Sequence, residues 1–289
     1  MLRGFLFVGG RHEIFQKDDA NSEHVTGPFC KQFWPFEADG MMARLGMAGN
    51  ILFAGLALLA LTSCGIPRPT EEMRYRLIVE VHTPEGVKRG SSVIEVKAVK
   101  NPNWVNVEGR GTRATFRGQA VAVDLPSGQT LFALLKSEGG ASDAAAYPWL
   151  AFKDRLRGSK DFLESIRMMR SWKGDSAPMP RSEITLPNGG TEISSLPLLV
   201  MFKNINDPAS VVQVNPEKLE QSFGAGISLK AVIVQITEEP TTTGIEKRFS
   251  WWKKYESEKR RLNGNDSIAI STNNIADNIG TGEFSTRIE

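Results

Sequence analysis

The pair of residues in this chain with the spacing of a catalytic motif is Ser250 and Lys253, which match S-x-x-K. In that motif the lysine can activate the serine as a nucleophile for acyl transfer. The motif is short, and a chain with this many serines and lysines contains about one by chance. The companion motifs are missing, since no K-T-G follows and Ser271-Thr272-Asn273 is only a loose match to S-D-N. The sequence therefore predicts no catalytic residue.

The chain contains few of the cysteine and histidine residues that commonly bind metals or cofactors. The chain has 2 cysteines and 3 histidines, and His82 is the one histidine beyond Cys64. This scarcity excludes a cysteine-based zinc site and a CxxC redox site, and we interpret His82 as a solvated turn residue. Residues 109–114 have the outline of a dinucleotide-binding loop, but residues 115–123 alternate as a strand where a helix should begin. We therefore predict no metal site and no cofactor.

A segment near the C-terminus, residues 247–261, interleaves basic and aromatic side chains. Such a mixture suits the headgroup layer of an anionic membrane, and it suits a polyanion equally. The alternative is that the rings fill the edge of the core while the charges face water. The net charge of +2 creates no global attraction, so no nucleic acid partner is expected. Under the first interpretation the contact residues are Trp251, Trp252, Lys253, Lys254 and Tyr255.

The most specific pattern in the chain is an apolar run that ends at a cysteine. Arg44 supplies a short basic region, residues 51–61 are uncharged and apolar, and the run closes with Leu61-Thr62-Ser63-Cys64. This pattern resembles the signal peptide and lipobox of bacterial lipoproteins, in which an aliphatic residue and two small residues precede the cysteine. The resemblance implies a signal peptide over residues 41–63, cleavage between Ser63 and Cys64, and acyl chains such as palmitate on Cys64.

The same segment leaves alternatives open. Residues 45–66 are long enough to span a bilayer, so an uncleaved single-pass membrane protein is one of them. Because Gly65 rather than an aspartate follows the cysteine, the resemblance implies the outer membrane of a Gram-negative cell, facing the periplasm, with the inner membrane as the alternative. Residues 1–40 precede the signal and show no sustained period. We interpret them as a misassigned start, with initiation at Met41 or Met42, and the alternative is a cytoplasmic tail.

Beyond a proline-containing tether over residues 64–72, the chain reads as strands with a few helices. Alternating or continuous apolar patterns predict strands over residues 75–81, 91–99, 119–125, 130–135, 196–204 and 227–237. Helical patterns cover residues 144–153, interrupted by Pro148, residues 159–172, capped by Ser159, and residues 215–224. No βαβ alternation is visible. The predicted fold is α+β, dominated by antiparallel sheets, with two or three short helices.

These elements predict one globular domain over residues 73–262, followed by a loosely attached polar tail over residues 263–289. The stretches TPEGVKRGSSVIEV, GQAVAVDLPSGQTLFALL and VVQVNPEKLEQSFG are similar to those of conserved, uncharacterised proteobacterial lipoproteins. That family has no assigned activity. We therefore predict a membrane-anchored envelope lipoprotein that acts by binding or scaffolding, with the membrane and an envelope protein as partners. The alternative from another class is an envelope hydrolase that uses carboxylates or the Ser250/Lys253 pair.

Overall fold

A computed structural model describes residues 69–101, 111–140, 142–181, 183–184, 193–265 and 274–286, which belong to one compact unit. Its strands are β1 (Thr70–Thr83), β2 (Gly86–Asn101), β3 (Gly111–Gln119), β4 (Val121–Asp124), β5 (Thr130–Ser137), β6 (Ser176–Pro178), β7 (Glu183–Ile184), β8 (Ile193–Ser194), β9 (Pro197–Phe202), β10 (Val211–Gln213), β11 (Ser228–Thr237) and β12 (Ser285–Thr286). Its α-helices are α1 (Tyr147–Ala151), α2 (Phe162–Arg170), α3 (Leu219–Phe223), α4 (Trp252–Ser257) and α5 (Ile275–Asn278). Three single 3-10 turns cover Pro208–Ser210, Ile245–Arg248 and Thr281–Glu283.

The larger sheet has six strands in the order β12-β3-β2-β1-β11-β6, and each neighbouring pair is antiparallel. Its centre is the long hairpin β1–β2, which pairs from Thr70 opposite Val99 to Thr83 opposite Gly86. Alternate residues of β1, such as Tyr75, are fully buried because a strand points successive side chains to opposite faces. The strands predicted over residues 75–81, 91–99 and 227–237 are therefore confirmed.

The smaller sheet has four strands in the order β10-β9-β5-β4, again antiparallel. The chain passes from the larger sheet to the smaller one at Ala120, between β3 and β4. The sheets approach closely at Gly90, where an added Cβ would lie 2.2 Å from the carbonyl oxygen of Ala122. The hairpin β4–β5 and the fully buried strand β9 confirm the sequence interpretation of these segments.

Two hydrophobic cores lie on opposite faces of the smaller sheet. Leu131 and Ala133 of β5 face the first core, which also contains the inner face of the larger sheet, whereas Phe132 and Leu134 face the second. The second core is completed by the C-terminal part of the chain, including Phe284. The described unit is thus layered as large sheet, small sheet and C-terminal segment.

The C-terminal segment departs from the sequence prediction. Ala276, Ile279 and Phe284 are each 0% exposed, and β12 pairs with β3. Residues 274–286 are therefore part of the packed domain rather than a loosely attached tail. The apolar residues of this segment are few and separated by polar neighbours, so the local composition does not predict their burial.

The strand-dominated α+β class is confirmed, and the helix count is corrected, since the described residues contain five α-helices rather than two or three. The cap of α2 is Asp161, whose carboxylate accepts a hydrogen bond from the Glu164 amide at 2.9 Å. Ser159, the predicted cap, donates its hydroxyl to the Leu156 carbonyl instead. The helix predicted from Asn215 begins only at Leu219, because the first residues form a turn.

The N-terminal predictions fall mainly beyond what the structure describes. The leader over residues 1–40, the signal peptide over residues 41–63 and Cys64 all lie outside the described residues. β1 begins at Thr70, inside the predicted tether. In the part of the chain that is described, no helix has the length and apolar character needed to cross a membrane.

Candidate functional site

The aromatic residues of the basic segment are buried. Trp251 is 8% exposed and Trp252 is 2% exposed, and both belong to the second core. The Trp251 indole donates a hydrogen bond to the Ile205 carbonyl at 2.9 Å. Trp252 stacks on Phe249 with ring centroids 5.7 Å apart and an interplanar angle of 17°. This burial favours the alternative in which the rings fill the core, because a buried indole cannot insert into a membrane.

The charged residues around these rings face solvent. Lys253 and Lys254 are exposed, and Tyr255 is half-buried with its ring 5.4 Å from that of Trp251. Part of the basic charge is neutralised within the chain, since Arg248 forms two hydrogen bonds with the carboxylate of Asp124 at 2.8 and 2.9 Å. The Arg248 hydrogen bonds lower the pKa of Asp124. The five predicted contact residues therefore do not form one exposed surface.

Ser250 and Lys253 do not interact as a catalytic pair. Both side chains are exposed, and the Ser250 hydroxyl is hydrogen-bonded to Asn206 Oδ1 at 3.1 Å. No hydrogen bond joins Ser250 to Lys253 in this described part of the chain, although a nucleophile and its base require such reach. The geometry therefore gives the hydrolase alternative no support from this pair.

Residues that could hold a metal ion are also dispersed. His82 is exposed at the end of β1. Across the segments that the structure describes, no three His, Cys, Asp or Glu side chains are grouped closely enough to bind a metal ion. β3 begins at Gly111, inside the 109–114 pattern, so a strand stands where a dinucleotide-binding loop would lead into a helix.

A site that the sequence analysis did not assemble lies on the outer face of the larger sheet. The register places Arg74 of β1 opposite Glu95 of β2, and Glu95 opposite Arg117 of β3. Directly opposite residues have Cβ atoms about 5 Å apart. Arg74 Nε donates to Glu95 Oε2 at 2.8 Å, and Arg117 Nη2 lies 3.2 Å from Glu95 Oε1. Two guanidinium groups therefore share one carboxylate.

The burial of the central carboxylate fixes this arrangement. The Glu95 side chain is 11% exposed, whereas those of Arg74 and Arg117 are 36% and 43% exposed. A carboxylate this poorly solvated requires a charged hydrogen-bond donor and compensating charge. Arg74 supplies the hydrogen bond, and Arg117 adds a second ion pair. Arg74 has a second contact over the sheet, because its Nη1 also donates to the Glu238 carbonyl at 3.4 Å.

The connection after β11, residues 238–243, crosses the same face of the sheet. Glu239 forms an ion pair with Arg76 of β1. At the far end, Thr242 accepts a hydrogen bond from the Val93 amide on its hydroxyl at 2.8 Å and donates its own amide to the Val93 carbonyl at 3.0 Å. The connection is therefore fixed to both β1 and β2, and it forms one wall beside the arginines.

The space between this wall and the sheet is a cleft of about 470 Å³, which we call the arginine cleft. Its lining residues are Arg74, Arg117, Gly118, Pro240, Thr241, Thr243, Ser285 and Thr286. This lining contains two cations and four hydroxyl groups and no carboxylate. The Arg117 Nε and Thr241 Oγ1 atoms are buried and have no hydrogen-bond partner in the protein. The cleft thus offers donors to an anionic or hydroxyl-bearing molecule.

A second charged depression, of about 570 Å³, adjoins the cleft through Arg74. There Glu71 pairs with Arg167 at 2.8 Å and with Arg170 at 3.3 Å. Glu72 and Glu238 also line this depression, and Glu238 pairs with Lys173. Because carboxylates and cations are mixed throughout, this depression favours neither sign of ligand charge, unlike the arginine cleft.

Comparisons with protein-family models, with curated proteins and with solved structures found no match for this chain.

Proposed function

We propose that this chain is an envelope lipoprotein, cleaved before Cys64, acylated on that cysteine and acting through binding by its folded domain. The observation that carries the proposal is the apolar run ending in Leu61-Thr62-Ser63-Cys64. Small residues before the cysteine suit the signal peptidase, and only a thiol can receive the diacylglycerol. In a Gram-negative cell, Gly65 after the cysteine favours the outer membrane, with the domain in the periplasm.

The start of the domain supports this proposal. β1 begins at Thr70, and the intervening residues Gly65, Ile66, Pro67, Arg68 and Pro69 form the linker to Cys64. Five residues span at most about 17 Å. An acyl anchor on Cys64 would therefore hold β1 and the larger sheet within a short distance of the bilayer.

The side-chain arrangement favours binding over hydrolysis. Ser250 is bonded to Asn206 rather than to Lys253. The arginine cleft instead presents fixed donors and hydroxyl groups, which are suited to holding a ligand. Binding or scaffolding is therefore the function that the described residues support best.

Metabolic labelling tests the anchor directly. Cells of a Gram-negative host expressing the full chain are grown with alkyne-labelled palmitate, and the chain is isolated and assayed for label. We expect label on the unchanged chain and on Cys30→Ala, because residue 30 is removed with the leader. Cys64→Ala should carry no label and should retain the signal segment. Label that persists in Cys64→Ala would contradict the proposal.

Mass spectrometry of the isolated chain separates acylation from the single-pass alternative. The mature lipoprotein should begin at Cys64 with the mass of the acyl groups added. Recovery of the peptide over residues 11–17 from the membrane-bound product would show that the leader is retained, and would favour a membrane helix over residues 45–66. Separation of the two membranes by density then tests outer against inner location.

A further inference from the structure

We propose that the arginine cleft is a binding site for an oxyanion, a carboxylate or phosphate group carried by a polar molecule. The proposal concerns the outer face of the larger sheet and does not depend on acylation of Cys64. It rests on three observations: the charge of the cleft, the donors left without partners, and the fixed positions of both arginines.

The charge of the cleft is positive although ion pairs surround it. Arg74 and Arg117 together carry two positive charges, and Glu95 beneath them contributes one negative charge. Two carboxylates of the wall are engaged elsewhere, because Glu238 pairs with Lys173 and Glu239 pairs with Arg76. One positive charge therefore remains uncompensated at the cleft, which suits a ligand group of single negative charge.

Hydrogen-bond donors remain available at the same place. A guanidinium group presents five N–H donors in a planar fork that matches a carboxylate or phosphate, and Glu95 occupies only part of each fork. Arg117 Nε is buried without a protein partner, as is Thr241 Oγ1 on the facing wall. A buried polar atom without a partner is destabilising, and a small shift of these two side chains that brings the atoms into contact with a bound oxyanion would remove that cost.

The site is organised before any ligand arrives. Arg74, Glu95 and Arg117 lie on three adjacent strands of one sheet, and the wall is bonded to Val93 at both its amide and its carbonyl. Preorganised donors bind more tightly because less conformational entropy is lost on binding. The hydroxyl groups of Thr243, Ser285 and Thr286 line the rest of the cleft, so the remainder of the ligand should be hydroxyl- or amide-bearing rather than apolar.

Ligand-observed NMR tests the proposal with two simple probes. The full chain, purified in a non-ionic detergent, is titrated into inorganic phosphate, followed by the ³¹P linewidth, and into acetate, followed by ¹H saturation transfer. Sodium chloride keeps the ionic strength constant. We expect saturable binding of at least one probe. Binding of phosphate alone identifies a phosphate-bearing ligand, binding of acetate alone a carboxylate-bearing one, and binding of both the shared chemistry.

Three variants assign the binding to the cleft. Arg117→Gln removes a charged donor and should raise the dissociation constant about tenfold or more. Thr241→Val keeps the charge of the cleft and the shape of the side chain, and should raise the dissociation constant about twofold to tenfold. Arg113→Gln removes an exposed arginine from the same strand, outside the cleft, and should leave it unchanged. If Arg117→Gln does not fold, Thr241→Val still decides.

The proposal is overturned by any of three results. Neither probe binds saturably, Arg113→Gln weakens binding as much as Arg117→Gln does, or Thr241→Val binds as the unchanged chain does. The second result would show general attraction to positive surface charge, and the third would show that the facing wall takes no part.

Discussion

Replacing Phe284 with alanine measures how far the C-terminal segment stabilises the domain. The ring is 0% exposed and lies 5.5 Å from the ring of Phe249 and 5.8 Å from those of Phe132 and Phe202, measured between centroids. Truncation of a buried Phe to Ala costs about 3–5 kcal/mol, through lost transfer energy and the cavity left behind. Phe132 and Phe202 belong to paired strands of the smaller sheet and cannot easily move into the space. We therefore expect a loss in the upper half of that range.

The assay is urea denaturation of the full chain in a non-ionic detergent, followed by near-UV circular dichroism of the aromatic cluster. In a thermal melt of the same samples, at about 2–4 °C per kcal/mol, a loss of about 4 kcal/mol corresponds to a fall of about 8–16 °C in Tm. Gly282→Ala is the matched control, because an added Cβ there meets no atom within 4 Å and the residue is exposed. It should change the free energy of unfolding by less than about 0.5 kcal/mol. A loss below about 1 kcal/mol in Phe284→Ala would refute the packing of this segment against the second core.

Two further substitutions test the contact between the sheets and one ion pair. Gly90→Ala places a Cβ 2.2 Å from the backbone oxygen of Ala122, so we expect destabilisation of about 3 kcal/mol or more by urea denaturation, whereas Gly158→Ala, which meets open space, should be neutral. Arg248→Met removes both hydrogen bonds to Asp124; the side chains are 40% and 63% exposed, so the loss at pH 7 should be only about 0.5–1 kcal/mol. Because the pair lowers the folded-state pKa of Asp124, its stabilisation is present above the unfolded value of about 3.9 and is lost as pH falls through the folded value. Denaturation from neutral to strongly acidic pH should therefore show the difference between Arg248→Met and the unchanged chain disappear, and a constant difference would contradict the assignment.

The regular elements were predictable because their signal is local. The alternation in β1 follows from burial of one face of the strand, and the continuous apolar run of β9 follows from burial of both faces. The helices were less predictable. The two that no sequence pattern indicated, α4 and α5, have only six and four residues, and such short helices carry almost no periodic signal. Asp161 caps α2 in place of Ser159 because its carboxylate reaches the Glu164 amide.

The packing of residues 247–261 could not be predicted from composition, for a different reason. Between Lys247 and Arg261 the charged residues outnumber the rings, yet the rings determine the packing. Trp251 and Trp252 are adjacent and both buried, which a strand with a single buried face would not allow. They are accommodated because the chain turns at the start of α4, with Trp251 as its N-terminal flanking residue. Such a turn is a tertiary feature, invisible to any periodic pattern.

The arginine cleft shows where sequence reasoning ends, because its residues are neighbours only through register. Arg74, Glu95 and Arg117 each stand at an outward-facing position of an alternating strand, and each alone predicts a solvated charge. A shift of one residue in the pairing of β2 would turn Glu95 into the core and leave both arginines without their carboxylate. The apolar residues on the inner face, such as Ile94, make that shift costly. The core that fixes the register therefore also builds the site on the opposite face, and the positive cleft is a consequence of how the large sheet folds.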